Sequence, residues 1–221
     1  MKETDTISVL VCVHSQDHEH DMMLQRALES LVCQTHTEFE TIIILDECWE
    51  DTRLIIEHYK DVLDMRFFER PKKQGLAAAK NFGIGKCRTD WIAYLDADDQ
   101  WMDCKLDVQR KWMLERPDID LCGTNAWDLT DDIMTPNCFN VTDYSLHSDI
   151  VLAIRNENVL CHGSMMIRSN VLAELGGYST DRKVLGCEDW ELWQRAASSG
   201  YTFSKVPERL YIYSMGTSVA R

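Results

Sequence analysis

The sequence predicts an α/β fold in which a mostly parallel central sheet is flanked by helices. One observation is the alternation, through the first half, of short continuous apolar runs with segments whose apolar residues recur at helical spacing. Runs of the first kind mark strands buried on both faces. The other is an abrupt stop: Trp91-Ile92-Ala93-Tyr94-Leu95 ends at Asp96, Asp98 and Asp99, three carboxylates within four residues. Open parallel sheets deliver ligand-binding groups at the carboxyl ends of their strands in this way.

Residues 7–13 (ISVLVCV) read as the first strand. After a polar loop, Leu24, Ala27, Leu28, Leu31 and Val32 fall at i, i+3, i+4, i+7 and i+8 and predict a helix. Residues 41–45 form a second strand, 52–60 a helix and 65–68 a short third strand. Gly75 precedes an Ala-rich helix over 76–86, which leads into the strand ending at Asp96. Strand–helix units in succession imply parallel strands joined by right-handed crossovers. The segment after Val13, the loop at Asp46 and the acids Asp96 to Asp98 are therefore expected on one edge. Further on, 120–125 reads as a strand, 145–155 as a helix, 163–168 as a strand, Gly176-Gly177-Tyr178 as a turn and 188–199 as a helix. With no Pro- or Ser-rich linker and no internal repeat, residues 1–221 are expected to form a single domain, which at this length buries about 70% of its unfolded surface.

The formal charge, 23 basic against 37 acidic residues or −14, argues against nucleic acid or an anionic membrane as the main partner. Nine cysteines are scattered singly without a C-x-x-C pair, which predicts reduced thiols and a cytoplasmic setting. The first residues lack the apolar core of a signal peptide, and no apolar run reaches membrane-spanning length. Asn140-Val141-Thr142 is a formal glycosylation sequon, incidental in a chain that is not secreted.

Two readings fit the acidic triplet. Mg²⁺ or Mn²⁺ prefers oxygen donors and takes one or two protein carboxylates, leaving its other positions to water and substrate phosphates, so the triplet suits a metal–diphosphate site. Alternatively it is a turn, with Asp99 capping a helix over 102–115.

The order of motifs resembles the family 2 glycosyltransferases. Ser8 to Ser15 resembles their opening strand, and Leu28-Glu29-Ser30-Leu31-Val32-Cys33-Gln34-Thr35 the helix after it. Gly75-Leu76-Ala77-Ala78-Ala79-Lys80-Asn81-Phe82-Gly83 resembles their Gly-Leu-x-x-Ala-Arg-Asn-x-Gly, and Tyr94 to Asp99 their Phe-Leu-Asp-Ala-Asp-Asp with its D-x-D core. His162-Gly163-Ser164-Met165-Met166-Ile167-Arg168, Gly176-Gly177-Tyr178 and Cys187-Glu188-Asp189-Trp190-Glu191-Leu192-Trp193 complete the series.

The resemblance implies a GT-A, Rossmann-like fold with a nucleotide-sugar-binding half over about 1–125 and an acceptor-binding half over 126–221. It implies inverting transfer of a sugar from a nucleotide-diphospho-sugar, a UDP-sugar foremost, to a hydroxyl of a glycan or other acceptor, with Mn²⁺ or Mg²⁺ as cofactor. On this reading Cys12, Val13, His14, Asp46, Gly75, Lys80, Asn81, Asp96, Ala97 and Asp98 line the donor site. Asp46 contacts the base, Asp96 the ribose and Lys80 the donor, while Asp98 ligates the metal. Asp189 is the general base with Glu188 beside it, and its place at a helix start suits a carboxylate. His162 and Trp190 face the acceptor.

Several positions depart from the family. Cys12 replaces a proline, His14-Ser15 a Tyr-Asn, and Leu45 an acid. Tyr213 and Met215 stand where many members carry an Arg and a metal-binding His. Met sulfur is a poor ligand for a hard ion, so the metal is left to Asp98, the diphosphate and water. The lack of a Gln-x-x-Arg-Trp pattern predicts one sugar per encounter. The departures also motivate a second function class, a relative that binds nucleotide sugar or glycan without transfer.

Overall fold

The structure is a computed structural model that describes residues 6–70, 74–137 and 146–215. Its first part is a succession of β1 (Ile7–Val13), α1 (His18–Val32), β2 (Phe39–Leu45), α2 (Glu50–Tyr59), β3 (Met65–Glu69), α3 (Leu76–Ile84) and β4 (Trp91–Tyr94). β1 pairs in parallel with both β2 and β4, and β2 with β3. The strands are continuous apolar runs because both faces are covered. Val9, Val11 and Ile43 pack with Leu24, Leu28, Leu31 and Ile56 of α1 and α2 on one side. Leu10, Ile42 and Ile44 pack with Ala79 of α3 on the other.

The second part comprises β5 (Gln100–Trp101), α4 (Lys105–Leu114), β6 (Leu121–Thr130), β7 (Ile133–Pro136), α5 (His147–Ile154), β8 (Met166–Arg168), α6 (Ser169–Leu175), α7 (Glu188–Ser198) and β9 (Phe203–Ser214). The described strands form one sheet in the order β3-β2-β1-β4-β8-β6-β9-β5, with β7 paired to β6. Beyond β4 the pairing is mixed: β8 is antiparallel to β4 and β6, whereas β6 and β9 run in parallel.

Several boundaries differ from expectation. The helix foreseen over 102–115 starts at Lys105, because Gln100 and Trp101 instead pair with Ile212 and Tyr211 of β9. Asp99 caps no helix; Cys104 holds the N-cap position of α4. The strand foreseen over 163–168 shrinks to β8, since His162–Ser164 is a short 3-10 turn. The strand at 120–125 extends to Thr130, and β9 is an unforeseen twelve-residue strand. The sequon, Cys138, Ser145 and Gly216 to Ser218 lie outside the described residues. Among those described, no helix is long and apolar enough to cross a membrane.

Candidate functional site

The carboxyl ends of β1, β2 and β4 meet at one edge. Val13 ends β1, and its carbonyl accepts hydrogen bonds from Asp46 N at 2.9 Å and Cys48 Sγ at 3.3 Å. His14 Nδ1 lies 2.7 Å from the Asp46 carbonyl oxygen. The Asp46 carboxylate is buried and paired with Arg70 Nη1 at 3.0 Å, and Arg70 also reaches the Gln74 amide oxygen. Beside this pair lies a cavity of about 460 Å³ lined by Leu45, Glu47, Cys48, Trp49, Glu50, Arg53, Glu69 and Arg70. The Cys12 thiol is under the electrostatic influence of Lys80, Asp96, Asp46 and Arg70, and burial above all pushes its pKa up to about 12. That thiol is a neutral wall of the site, not a nucleophile.

The acidic triplet divides into three environments. Burial would raise the Asp96 carboxyl, but His162, Lys80 and the Tyr211 hydroxyl outweigh it and hold the pKa low. His162 Nδ1 donates to Asp96 Oδ1 at 3.2 Å, and its Nε2 lies 3.0 Å from the Tyr178 hydroxyl. The imidazole is fixed among the rings of Tyr94, Tyr178 and Trp193. At Asp98 a backbone hydrogen bond and His20 are outweighed; burial, then the charge of Asp96, raise its pKa to about 6. Asp99 is fully buried and raised well above the usual range by burial and then by Asp98 and Asp96. Its carboxyl accepts from the Tyr211 hydroxyl and, at 2.7 Å, from Ser214 N, so it anchors the end of β9 to the acid loop. Gly163 is required here, because a Cβ at that position would collide with the Tyr211 ring and hydroxyl.

These carboxylates suit a divalent ion that arrives with a phosphate ligand. Among the described residues no three His, Cys, Asp or Glu side chains are grouped to enclose a metal. What the loop offers is the oxygen of Asp98, whose pKa is raised by burial first and then by the neighbouring charge of Asp96. A single hard carboxylate fits Mg²⁺-like coordination completed by diphosphate and water. Met215 is 46% exposed at the end of β9 and adds no hard donor.

α7 begins at Glu188 with Asp189 next to it. Asp189 Oδ1 accepts from Trp190 N at 2.7 Å and Oδ2 from Asn158 Nδ2 at 2.9 Å, so the carboxylate is oriented from both sides. Glu188 pairs with Lys80 Nζ at 3.1 Å and accepts from Gly186 N at 3.1 Å. Lys80 also lies over the Tyr178 ring, 5.1 Å from its centroid. The Trp190 indole donates to the Ile154 carbonyl of α5 at 2.7 Å, which fixes the half-buried ring at the base of the helix.

Most of the residues singled out in the sequence are thus brought together: Cys12, Asp46, Lys80 and Asp96 by their mutual charges, Ala97 and Asp98 by the same loop, and His162 by its bond to Asp96. Gly75 starts α3 with a φ of 87°. Asn81, expected against the donor, is committed elsewhere. Its amide donates to the Tyr178 carbonyl at 2.8 Å and accepts from Tyr178 N at 2.7 Å. Arg70, Tyr178, Tyr211, Asp99 as an anchor and Asn158 were not foreseen, and Tyr211 belongs to a strand that the sequence hides.

Two family models match the chain, glycosyl transferase family 2 over residues 8–176 and the N-terminal domain of galactosyltransferase over 152–217. The Escherichia coli O-antigen biosynthesis glycosyltransferase WbnJ is 28% identical over 194 residues, covering 86% of this chain and 71% of that protein. S. aureus TarS 1–349 in complex with UDP-GlcNAc superposes with a TM-score of 0.78 at 16% identity, over 97% of this chain. The mannosyltransferase PcManGT of Pyrobaculum calidifontis, in complex with GDP-Man and Mn²⁺, gives 0.71 at 15% identity over 97% of this chain. The chain spans 60% and 58% of the length of those two solved chains. Their likeness establishes the fold: a mixed α/β architecture of the GT-A kind.

Proposed function

The chain belongs to glycosyl transferase family 2, and from that premise we propose that it moves one sugar from a nucleotide-diphospho-sugar to an acceptor hydroxyl by single displacement with inversion. The observation that carries this reading is the Lys80–Glu188 pair: Lys80 also acts electrostatically on Asp96, and Glu188 precedes Asp189, whose carboxylate is oriented by Asn158 and Trp190 N. Residues 1–125 supply the donor side and 126–221 the acceptor side of one domain.

The Asp46 carboxylate and Arg70 guanidinium present an acceptor beside a donor, which complements a ring N–H next to a carbonyl, as uracil and guanine both carry. A UDP-sugar is the donor of choice, supported by the complex of TarS with UDP-GlcNAc. Asp96 faces the ribose with its charge secured by His162, which also borders the acceptor with Trp190. Asp98 would hold Mn²⁺ or Mg²⁺, and that ion would neutralise charge growing on the diphosphate oxygens. Asp189 accepts the proton of the attacking hydroxyl as that oxygen bonds to the anomeric carbon and the bond to the diphosphate breaks. A positioned base of this kind is worth about 10²–10⁴-fold. A glycan acceptor is supported by the O-antigen role of WbnJ. A cytoplasmic setting is supported by the free thiols of the described cysteines.

The test is transfer and donor hydrolysis over a panel of nucleotide sugars with Mn²⁺ and sugar acceptors, run beside Asp98→Ala and Asp189→Asn. Turnover of one donor that both substitutions abolish is the expected result. Metal-dependent turnover retained in Asp98→Ala overturns the metal assignment. Donor binding without turnover under any acceptor supports the binding-only reading, which the exposed, soft Met215 favours.

A further inference from the structure

We propose that the Tyr213 hydroxyl donates a hydrogen bond to the sugar-side phosphate of the bound donor, and to the same phosphate as it leaves with the nucleotide. The inference rests on the transfer reading above. It adds a substrate-contacting group from β9, the strand that the sequence does not announce.

Side chains two apart on a strand point to the same face. Tyr211 and Tyr213 are such a pair, and the Tyr211 hydroxyl bonds Asp96 at 3.3 Å and also Asp99. One position on, Ser214 N is held by Asp99, so the end of β9 cannot drift from the acid loop. The Tyr213 ring is half-buried against the core. Its hydroxyl is under the influence of Asp99, Asp98 and Asp96, yet no described residue accepts a hydrogen bond from it. Burial first, and then those negative charges, push its pKa up, so the phenol remains a proton donor.

Among the described residues, two basic side chains of this edge are committed, Arg70 to Asp46 and Lys80 to Glu188. A leaving nucleoside diphosphate gains negative charge, and a fixed hydrogen-bond donor aimed at it is stabilising because it needs no reorganisation. A phenol supplies that donor without a cation that would compete with a metal for Asp98. Phenylalanine at 213 would keep the ring and its packing and remove only the donated proton.

The experiment measures binding of UDP, UMP and uridine by calorimetry in the presence of Mn²⁺, for wild type and Tyr213→Phe, together with transfer kinetics and melting temperature. The expected result is a loss of about 10-fold in UDP affinity, with UMP and uridine unchanged. A fall in kcat of about 10- to 100-fold should accompany it at an unaltered melting temperature. UDP binding and kcat unchanged in Tyr213→Phe overturn this inference while leaving the transfer reading intact. An equal loss for UMP and UDP overturns it as well, since the contact would then not be to the sugar-side phosphate. Wild type that binds none of the three and turns over no donor overturns the transfer reading, and this inference with it.

Discussion

Lys80 Nζ and Glu188 Oε1 lie 3.1 Å apart with both side chains buried, tying the helix that follows Gly75 to the first residue of the helix that carries Asp189. The pair spans 108 positions of sequence and joins α3 to α7, the proposed donor and acceptor sides. Lys80 thereby acts on the orientation of α7 whatever contact it makes with a donor.

Removing one partner of a buried ion pair leaves the other charge uncompensated, a cost of about 3–5 kcal/mol. Lys80→Ala is therefore expected to destabilise strongly in urea denaturation, whereas Lys80→Met combined with Glu188→Leu should recover most of the loss without restoring turnover. A single Lys80→Ala as stable as wild type would mean that the pair carries no such charge coupling.

The same pair sets an acid limit. Burial alone would raise the Glu188 carboxyl, but Lys80 and hydrogen bonding bring it below its ordinary 4.5. A carboxyl with a depressed folded pKa contributes stability above the unfolded value and loses it as pH falls through the folded one. Wild type should lose stability steadily as the pH is lowered from 4.5, and Glu188→Gln should show a shallower loss over that window. Parallel curves in pH-dependent denaturation would refute the coupling.

The parallel half was legible because its strands are buried on both faces. Ile42, Ile43 and Ile44 are all inaccessible, so the run of apolar residues needs no alternation to be recognised. β9 was not legible for the opposite reason. It contains Pro207, Glu208 and Arg209, which read as a loop. In the sheet they form an irregularity, where the partner of Thr124 is Val206 and that of Asn125 is Arg209. Asn125 Nδ2 donates to the Pro207 carbonyl across the bulge. The site followed the same division. Asp46 and Asp96 sit at the ends of recognisable strands, while the roles of Asp99, Tyr211 and Tyr213 depend on β9. The Lys80–Glu188 pair is set by tertiary contact, and no local spacing encodes it.

Lys105 is fully buried, with its ammonium 3.8 Å from the Trp101 ring centroid and 2.7 Å from Gln109 Oε1. Among the described residues no carboxylate is paired with it, and burial lowers its pKa from 10.5 to about 7. The unfolded chain thus holds a proton that the folded one releases, so stability rises with pH from about 7 to 10.5, and the cost is complete below about 7. Lys105→Met is expected to be more stable than wild type by about 1–3 kcal/mol at neutral pH, after the lost bond to Gln109 is counted. The gain should shrink toward pH 10.5. A destabilised Lys105→Met at pH 7 would show instead that the ammonium is held by more than its ring contact.

Asp98 offers one hard oxygen to a metal, so ion and nucleotide should bind together more tightly than either alone. A ligand specific for the folded state at a hundred times its Kd adds about 2.7 kcal/mol, worth roughly 5–10 °C for a chain of this size. Wild type heated with UDP and Mn²⁺ is expected to show such a shift, smaller with UDP and EDTA. Asp98→Ala should show the same small shift in both mixtures. Equal shifts with and without the ion in wild type would remove the metal from the donor site.

Asn81 gives the sharpest separation between a donor contact and a structural one. Its amide satisfies both the N–H and the carbonyl of Tyr178, whose hydroxyl in turn meets His162. The close approach requires Gly177, with φ of 73°, because a Cβ there would strike the Asn81 side chain. Asn81→Ala leaves two backbone groups without partners, at about 1–3 kcal/mol for each that stays buried. Asn81→Asp keeps the acceptor for Tyr178 N but turns a second carboxylate oxygen onto the Tyr178 carbonyl, which repels it. Both substitutions are expected to lower the melting temperature, and Asn81→Ala should retain UDP binding once measured well below it. A donor contact would give the reverse, with thermal stability preserved and UDP affinity lost, because removing a ligand contact leaves Tyr178 where it is.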